Sequence, residues 1–156
     1  MPYVDRDGGV IVASYANPQR DAHEFVAEDS SEWIARELAK VKVSRVRDLE
    51  REFDRDLNAG FESSALGTPY RYDSEVHNRE NLIGAVAAGE DTPYTCDDLQ
   101  GQPDSKVPRV HTPAQLLIVL RDGKAVKQAL IAKLRDKRSM VEAAGTAEAV
   151  AMVSWD

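Results

Sequence analysis

The sequence predicts an α+β fold in three parts: an N-terminal β-hairpin module over residues 1–30, a connecting helix over 31–58, and a C-terminal domain of short strands and helices over 59–156. Paired glycines ahead of a β-branched segment indicate the hairpin. A capped amphipathic pattern indicates the long helix. After it, short alternating segments and helix-capping residues follow one another, which is typical of an α+β domain.

The N-terminal module begins with a hairpin signal. Asp7-Gly8-Gly9 stands before the run Val10-Ile11-Val12, and glycine readily takes the positive φ values that tight hairpin turns need. Asp5-x-Asp7-Gly8 resembles the start of a calcium loop, but the later ligands and the closing bidentate glutamate are missing. Asn17-Pro18 predicts a second turn, and residues 24–28 predict a short strand.

The same module is a predicted attachment device. A segment of about 30 residues forms little hydrophobic core of its own. We therefore expect it to be stabilised by binding to a different protein or to a second copy of this chain. Aromatic and aliphatic side chains commonly anchor such interfaces. The predicted protein-interface residues are Tyr3, Ile11, Tyr15, Phe25 and Trp33.

The connecting helix is predicted from Asp29-Ser30-Ser31-Glu32, which resembles a capping box. Four-residue steps rotate an apolar stripe by about 40° each, and Arg45 interrupts this stripe midway. We therefore expect the first half of the helix to pack with the N-terminal hairpin and the second half to pack with residues 60–90. The predicted buried positions are Ile34, Leu38, Val41, Leu49, Phe53 and Leu57.

The C-terminal domain opens with a second predicted hairpin. Asn58-Ala59-Gly60 is expected to end the connecting helix through a left-handed residue. Residues 61–65 and 70–72 alternate in polarity on either side of a turn at 66–69. The two tyrosines of the second segment share one face of a strand, which we interpret as a half-buried sheet face.

A helix over 75–88 follows, with Ser74 as its expected cap and Gly89 as its end. Short strands are predicted near 94–96 and 107–110. The expected buried side of this helix consists of Val76, Leu82, Ile83 and Val86.

The last long helix has the clearest start in the chain. Thr112-Pro113-Ala114-Gln115 combines a Thr cap, a proline at the first helical position and a glutamine at the third. We expect this helix to be interrupted near Asp122-Gly123 and to end before Gly145. Thr146 should then cap one further turn. Trp155 should be buried or should contact the last long helix, because it carries a large apolar area.

Composition favours a folded, soluble protein made in the cytosol. Apolar residues make up 42% of the chain and charged residues 30%. The longest uncharged apolar run, residues 116–120, is too short for a membrane span, so no membrane partner is expected. The net charge of −7 argues against a general nucleic-acid binder. Residues 121–138 nevertheless hold seven basic and two acidic residues, which favours a solvated basic helix face.

No catalytic, cofactor-binding or metal-ligating residue is predicted. The three histidines and Cys96 lack a regular ligand spacing, and neither a phosphate loop nor a nucleophile elbow is present. Tyr70, Tyr72, Asp73 and His77 lie close in sequence, but the alternation and the helix start explain them structurally. An enzyme is the least favoured of the functional hypotheses.

Several motifs resemble a family: a domain of unknown function that is common in tailed-phage tail proteins. The resemblance covers residues 40–156. The motifs that carry it are Gly60-Phe61, Asp73-Ser74, Glu80-Asn81-Leu82-Ile83-Gly84-Ala85, Thr146-Ala147-Glu148 and Trp155.

The resemblance implies a non-enzymatic structural protein at the tail tip, baseplate or tail-fibre attachment region. It leaves open an alternative, a tail-fibre assembly factor (a chaperone) that is not retained in the virion. The implied partners are other phage tail and tail-fibre proteins, or a second copy of this chain. The implied location is the virion tail, after synthesis in the host cytoplasm.

Overall fold

The computed structural model describes residues 3–15, 24–99 and 106–156, without the side chains of Glu24 and Phe25. The α+β fold class is confirmed, with an N-terminal hairpin, a long helix, and then strands and helices. The chain divides into two compact units. Unit 1 contains the described residues of Met1–Asp48 and Arg138–Ser154 together with Asp156, and unit 2 contains those of Leu49–Lys137 together with Trp155.

Unit 1 contains a three-stranded antiparallel sheet. Strands β1 (Tyr3–Asp7) and β2 (Val10–Tyr15) form the predicted hairpin, and β3 (Glu24–Phe25) pairs with the other edge of β1. The turn residues Gly8 and Gly9 have φ values of 57° and 87°, which side-chain-bearing residues rarely adopt. The turn predicted at Asn17-Pro18 lies outside the described residues.

Helix α1 (Ser31–Asn58) has the predicted bounds. The Ser30 hydroxyl accepts a hydrogen bond from the Trp33 backbone N–H at 3.2 Å, so Ser30 is the cap. The predicted capping box of Asp29 to Glu32 would have placed the cap one residue earlier, and the Glu32 carboxylate accepts from Arg6 instead. The prediction that Ile34 and Val41 are buried is wrong, because they are 56% and 37% exposed. In unit 1 the helix instead turns Trp33 towards the core of Val4, Ile11 and Val26, and Ile34 is rotated about 100° away from it.

Unit 1 also contains the C-terminal turns of the chain. Arg45 Nε donates to the Val153 carbonyl at 2.6 Å, and Lys42 Nζ donates to the Glu142 carbonyl, also at 2.6 Å. Helix α4 (Ala147–Ala151) begins as predicted, with the Thr146 hydroxyl accepting from the Ala149 N–H at 3.1 Å. Within unit 1, Lys42 and Arg45 of α1 therefore tie the helix to the C-terminal part of the chain through hydrogen bonds to backbone carbonyls.

Unit 2 is built on a four-stranded antiparallel sheet whose strands pair in chain order. The second hairpin is confirmed as β4 (Phe61–Ser63) and β5 (Tyr70–Tyr72), followed by β6 (Thr92–Asp98) and β7 (Val107–His111). Gly60, with φ at 92°, follows α1, and a Cβ there would lie 2.7 Å from the Tyr72 carbonyl oxygen. The buried core consists of Phe61, Tyr72, Leu82, Cys96, Leu116 and Val119.

Helix α2 (Val76–Ala88) ends at Gly89 as predicted, but Ser74 does not cap it. Glu75 occupies the cap position, and its side chain makes no capping hydrogen bond. The Ser74 hydroxyl instead donates to the Leu57 carbonyl and accepts from the Gly60 N–H at 3.1 Å, which are groups at the C-terminal end of α1. Of the predicted buried side, Leu82 is buried, whereas Val76 and Ile83 are exposed.

Helix α3 (Pro113–Ala143) is continuous, so the break predicted near Asp122-Gly123 is wrong. A Cβ at Gly123 would lie 2.8 Å from Phe61 Cζ, which shows that this glycine admits a ring against the helix. The predicted start is confirmed, since the Thr112 N–H donates to Gln115 Oε1 at 2.9 Å and Thr112 Oγ1 accepts from the Gln115 N–H at 3.3 Å.

Trp155 fulfils its prediction, being 2% exposed in unit 2. Lys133 of α3 lies over the indole, with Nζ 4.5 Å from the ring centroid. The Phe53 ring of α1 packs edge-on at a centroid distance of 6.4 Å. The indole N–H donates to Asp56 Oδ2 at 2.6 Å.

Candidate protein-interaction site

The outer face of β2 exposes two valines. Along Val10-Ile11-Val12, the flanking residues are 66% and 58% exposed while Ile11 is 6% exposed. This is the period-two alternation of a strand with one face on a core. Large β-branched side chains at this exposure leave an apolar strip beside α1.

A row of small and apolar residues on the first half of α1 faces the same space. Ala35, Ala39 and Val43 are spaced four residues apart, so they lie on one side of the helix. Together with Gly9, Val10, Ile11 and Val12, they line a groove of about 790 Å³, hereafter the β2–α1 groove. Small side chains on the helix would allow another backbone to approach closely.

Both walls of the groove are held within unit 1. Arg6 of β1 makes a two-pronged ion pair with Glu32 of α1, one contact of which is Arg6 Nη2 to Glu32 Oε2 at 2.8 Å. Arg36 Nη1 donates to the Ser14 hydroxyl at 3.2 Å. Trp33 packs against the small core beneath the sheet. The expected packing of the first half of α1 with the hairpin is confirmed by these contacts.

The rim of the β2–α1 groove is mainly basic. Arg36, Lys40 and Arg47 line it, and the acidic lining residue is Glu32, whose carboxylate is occupied by Arg6. The Arg36 guanidinium and the Lys40 ammonium lie 5.4 Å and 5.8 Å from the centroid of the Trp33 ring. A complementary surface would therefore combine apolar groups with carboxylates.

Strand β2 is also an edge strand. The strand order of the described three-stranded sheet is β2-β1-β3. Among the described strands, β2 therefore pairs with β1 alone. The edge opposite β1 thus carries a row of main-chain donors and acceptors that can accept a further strand. Addition of a strand to a sheet edge is a common mode of peptide recognition, with main-chain bonds giving affinity and side-chain pockets giving specificity.

The residues predicted to form the interface are only partly accessible. Ile11 lies in the unit 1 core, and Trp33 is partly buried against it. Tyr15 donates from its hydroxyl to Asp5 Oδ2 at 3.0 Å, and Tyr3 is half-buried in β1. The side chain of Phe25 lies outside the described part of the structure. Their interface role stays a prediction.

The accessible apolar residues are instead Val10, Val12 and Val43, which the sequence reasoning missed. Alternation in β2 shows that one face is buried but does not say which one. The register of the hairpin, with Asp7 opposite Val10, fixes which residues share a face but not which face packs on the core, so no local signal distinguished the two.

Unit 2 contains a buried polar cluster that the sequence also did not predict. The Tyr72 hydroxyl lies 2.8 Å from His111 Nε2, and His111 Nδ1 lies 2.7 Å from the Arg109 carbonyl oxygen. Burial raises the pKa of Tyr72 and also that of the Cys96 thiol, so both groups keep their protons near neutrality. Both side chains of the Tyr72–His111 pair are fully enclosed, which suits a core role.

The sequence-adjacent tyrosines, Asp73 and His77 do not converge on one another. Asp73 pairs with Lys106 at 2.6 Å, and His77 lies 3.6 Å from Glu75. Among the described residues, no group of three or more His, Cys, Asp or Glu side chains could hold a metal ion. Within the same ranges, none of the helices has the length and apolar character needed to cross a membrane.

Comparison with known families gives one finding. A family described as a domain of unknown function, DUF4376, matches residues 40–154. No curated protein and no solved structure matches the chain. The matched range holds all of unit 2 except Trp155, together with the C-terminal turns, whereas the hairpin precedes it.

Proposed function

The chain belongs over residues 40–154 to the DUF4376 family, and on this premise we propose that it is a non-enzymatic structural protein of a tailed-phage tail. Its proposed place is the tail tip, the baseplate or the tail-fibre attachment region of the virion, after synthesis in the host cytoplasm. The sequence motifs from Gly60-Phe61 to Trp155 support the phage assignment through their resemblance to tail proteins.

The β2–α1 groove is the observation that carries the structural role. It joins a strand edge that is unpaired among the described strands to an apolar helix face with a basic rim, all within unit 1. Such a surface is suited to recognition of an extended protein segment. The proposed occupant is an extended segment of another tail protein that pairs with β2, places apolar side chains in the groove and carries acidic residues beside them.

The alternative is an assembly factor that acts on tail fibres and then leaves. Both roles use the same groove, since a chaperone and a neighbouring virion subunit each hold a partner segment. They differ in whether the protein stays in the finished particle.

The test is mass spectrometry of purified virions of the phage that encodes this chain, with a matched pair of variants. Val43→Glu places a carboxylate in the groove, whereas Ile34→Glu makes the same kind of change at a similarly exposed position of α1 outside the groove lining. The wild type and Ile34→Glu should be found in virions, and Val43→Glu should be reduced at least about tenfold, since each 1.4 kcal/mol lost is tenfold in affinity.

Presence of the wild type in lysate but not in virions, with tail fibres lost in a deletion strain, would favour the assembly factor. Equal incorporation of Val43→Glu and Ile34→Glu would show that the groove is not the attachment site. Intact tails and fibres without this protein would overturn both roles.

A further inference from the structure

A second surface feature, in unit 2, has the chemistry of a ligand site. Helices α2 and α3, together with the end of α1 and the start of β4, enclose a cavity of about 290 Å³. This volume lies just below the range of roughly 300–1,000 Å³ that is usual for small-molecule sites, which suits a small ligand. Its apolar walls are formed by Leu57, Phe61, Leu82, Ile83, Leu120 and Val126.

The cavity has a solid inner wall. Phe61 is 7% exposed and its ring lies against the backbone at Gly123, where a Cβ would be 2.8 Å from the ring. Leu82 is 4% exposed beside it. By contrast, Ile83 and Val126, at 55% and 39% exposed, stand towards solvent. The site is therefore a preformed apolar recess with an open mouth.

The charged residues of the recess are all basic. Arg79, Lys124 and Lys127 line it, and no acidic residue is among its described lining, although the chain as a whole has a net charge of −7. Arg79 Nη1 donates to the Ser74 carbonyl, which fixes its guanidinium. Lys124 and Lys127 are three residues apart on α3 and thus lie on one side of the helix.

From this geometry we propose that the recess binds a small amphipathic anion, an apolar chain that ends in a carboxylate. The chain would lie against Phe61 and Leu82, and the carboxylate would meet the ammonium groups of Lys124 and Lys127 at the mouth. This inference does not depend on the proposed tail function. Apolar area buried on binding supplies the affinity, and the lysines select the sign of the head group.

The first test compares octanoate, octylammonium and acetate by calorimetric titration of the full chain, with amide chemical shifts to locate binding. Octanoate should bind and shift amides around Ile83 and Val126, whereas acetate, which lacks the chain, should not. Octylammonium should bind at least about fivefold more weakly than octanoate, a ratio expected from two exposed ion pairs. Raising the salt concentration should reduce the difference in affinity between octanoate and octylammonium, because salt screens the ion pairs.

Two matched pairs of variants make the test specific. Lys124→Ala/Lys127→Ala should weaken octanoate binding about fivefold, whereas Arg121→Ala/Arg135→Ala, an equal change of charge on α3 outside the lining, should not. Ile83→Glu should abolish octanoate binding, whereas Val76→Glu, at a 60% exposed position of α2 outside the lining, should preserve it. Equal binding of octanoate and octylammonium, or octanoate binding unchanged in Ile83→Glu, would overturn the proposal.

Discussion

Several buried or partly buried polar side chains in unit 2 have specific hydrogen-bond partners. The Arg109 carbonyl can only accept, so His111 Nδ1 carries the proton of their 2.7 Å contact. In the neutral imidazole, His111 Nε2 then accepts from the Tyr72 hydroxyl. In the same unit, the Trp155 indole N–H donates a hydrogen bond to Asp56 Oδ2. Such pairs are sensitive to loss of one partner, because the remaining buried group stays desolvated without a hydrogen bond.

The Trp155–Asp56 pair makes stability depend on pH. The hydrogen bond from Trp155, helped by Arg55 and Lys133, holds the pKa of Asp56 below its ordinary value of 3.8. A depressed carboxylate pKa adds stability that is fully present above the unfolded value and is lost as pH falls through the folded value. Trp155→Phe should therefore lower the free energy of unfolding by about 1 kcal/mol more at pH 7 than at pH 2.5, as measured by urea unfolding. This magnitude allows for solvent screening, because Asp56 is partly exposed.

The control is the same substitution in an Asp56→Asn background, which keeps an acceptor but removes the titrating group. There, the cost of Trp155→Phe should be the same at both pH values. A cost that is independent of pH in the wild-type background as well would show that Trp155 contributes through packing alone.

At the scale of elements, local signals located most helices and strands correctly. The glycine turn and the Thr112-Pro113 start each act through neighbouring residues, so they could be predicted without knowing the tertiary structure. The incorrect predictions concern positions whose local structure depends on a residue that is distant in sequence. Gly123 was predicted to interrupt the helix, but its lack of a side chain makes room for the Phe61 ring. Ser74 was predicted to cap α2, but its hydroxyl bonds to backbone groups at the C-terminal end of α1.

The candidate groove was predictable in location but not in its residues. A small N-terminal module with apolar residues indicated an attachment surface, and the structure has an open groove there. The predicted Ile11 faces the core, whereas Val10 and Val12 face outward, and a shift of one residue exchanges the two faces of a strand. An error of one residue also affected α1, where Ile34 was predicted to face the core, whereas its neighbour Trp33 does so.

Close packing of α3 on β4 can be tested with a pair of glycines. Gly123→Ala should destabilise the protein by about 1–3 kcal/mol, because the new methyl group would meet the buried Phe61 ring. Gly84→Ala in α2 has open space around its Cβ position and should instead stabilise by about 0.5–1 kcal/mol. Both changes would be measured by urea unfolding at pH 7. Stabilisation by both would mean that Phe61 moves aside at little cost.

For the whole molecule, the two units differ in how much core they contain. Unit 1 buries Val4, Ile11 and Val26 beneath its sheet, a small cluster to which Trp33 adds. Unit 2 has a larger buried cluster, formed by residues between 61 and 119, and it also buries Leu49 and Trp155. The chain is net negative but has basic residues at the β2–α1 groove and at the apolar recess, so the anionic partners proposed for both surfaces are complementary to them in charge.

Removal of residues 1–30 should therefore separate attachment from folding. The truncation deletes the β2 wall of the groove and the hairpin core under Trp33, but it leaves every buried residue of the unit 2 core in place. We expect amide exchange within 61–119 to keep its protection, since the most protected amides belong to packed core elements. Incorporation into virions should be lost, as it should be in full-length Val43→Glu, which retains the hairpin and so controls for the truncation itself. Normal incorporation of the truncated chain would show that the N-terminal module is not the attachment device, and the proposed role of the groove would fall with it.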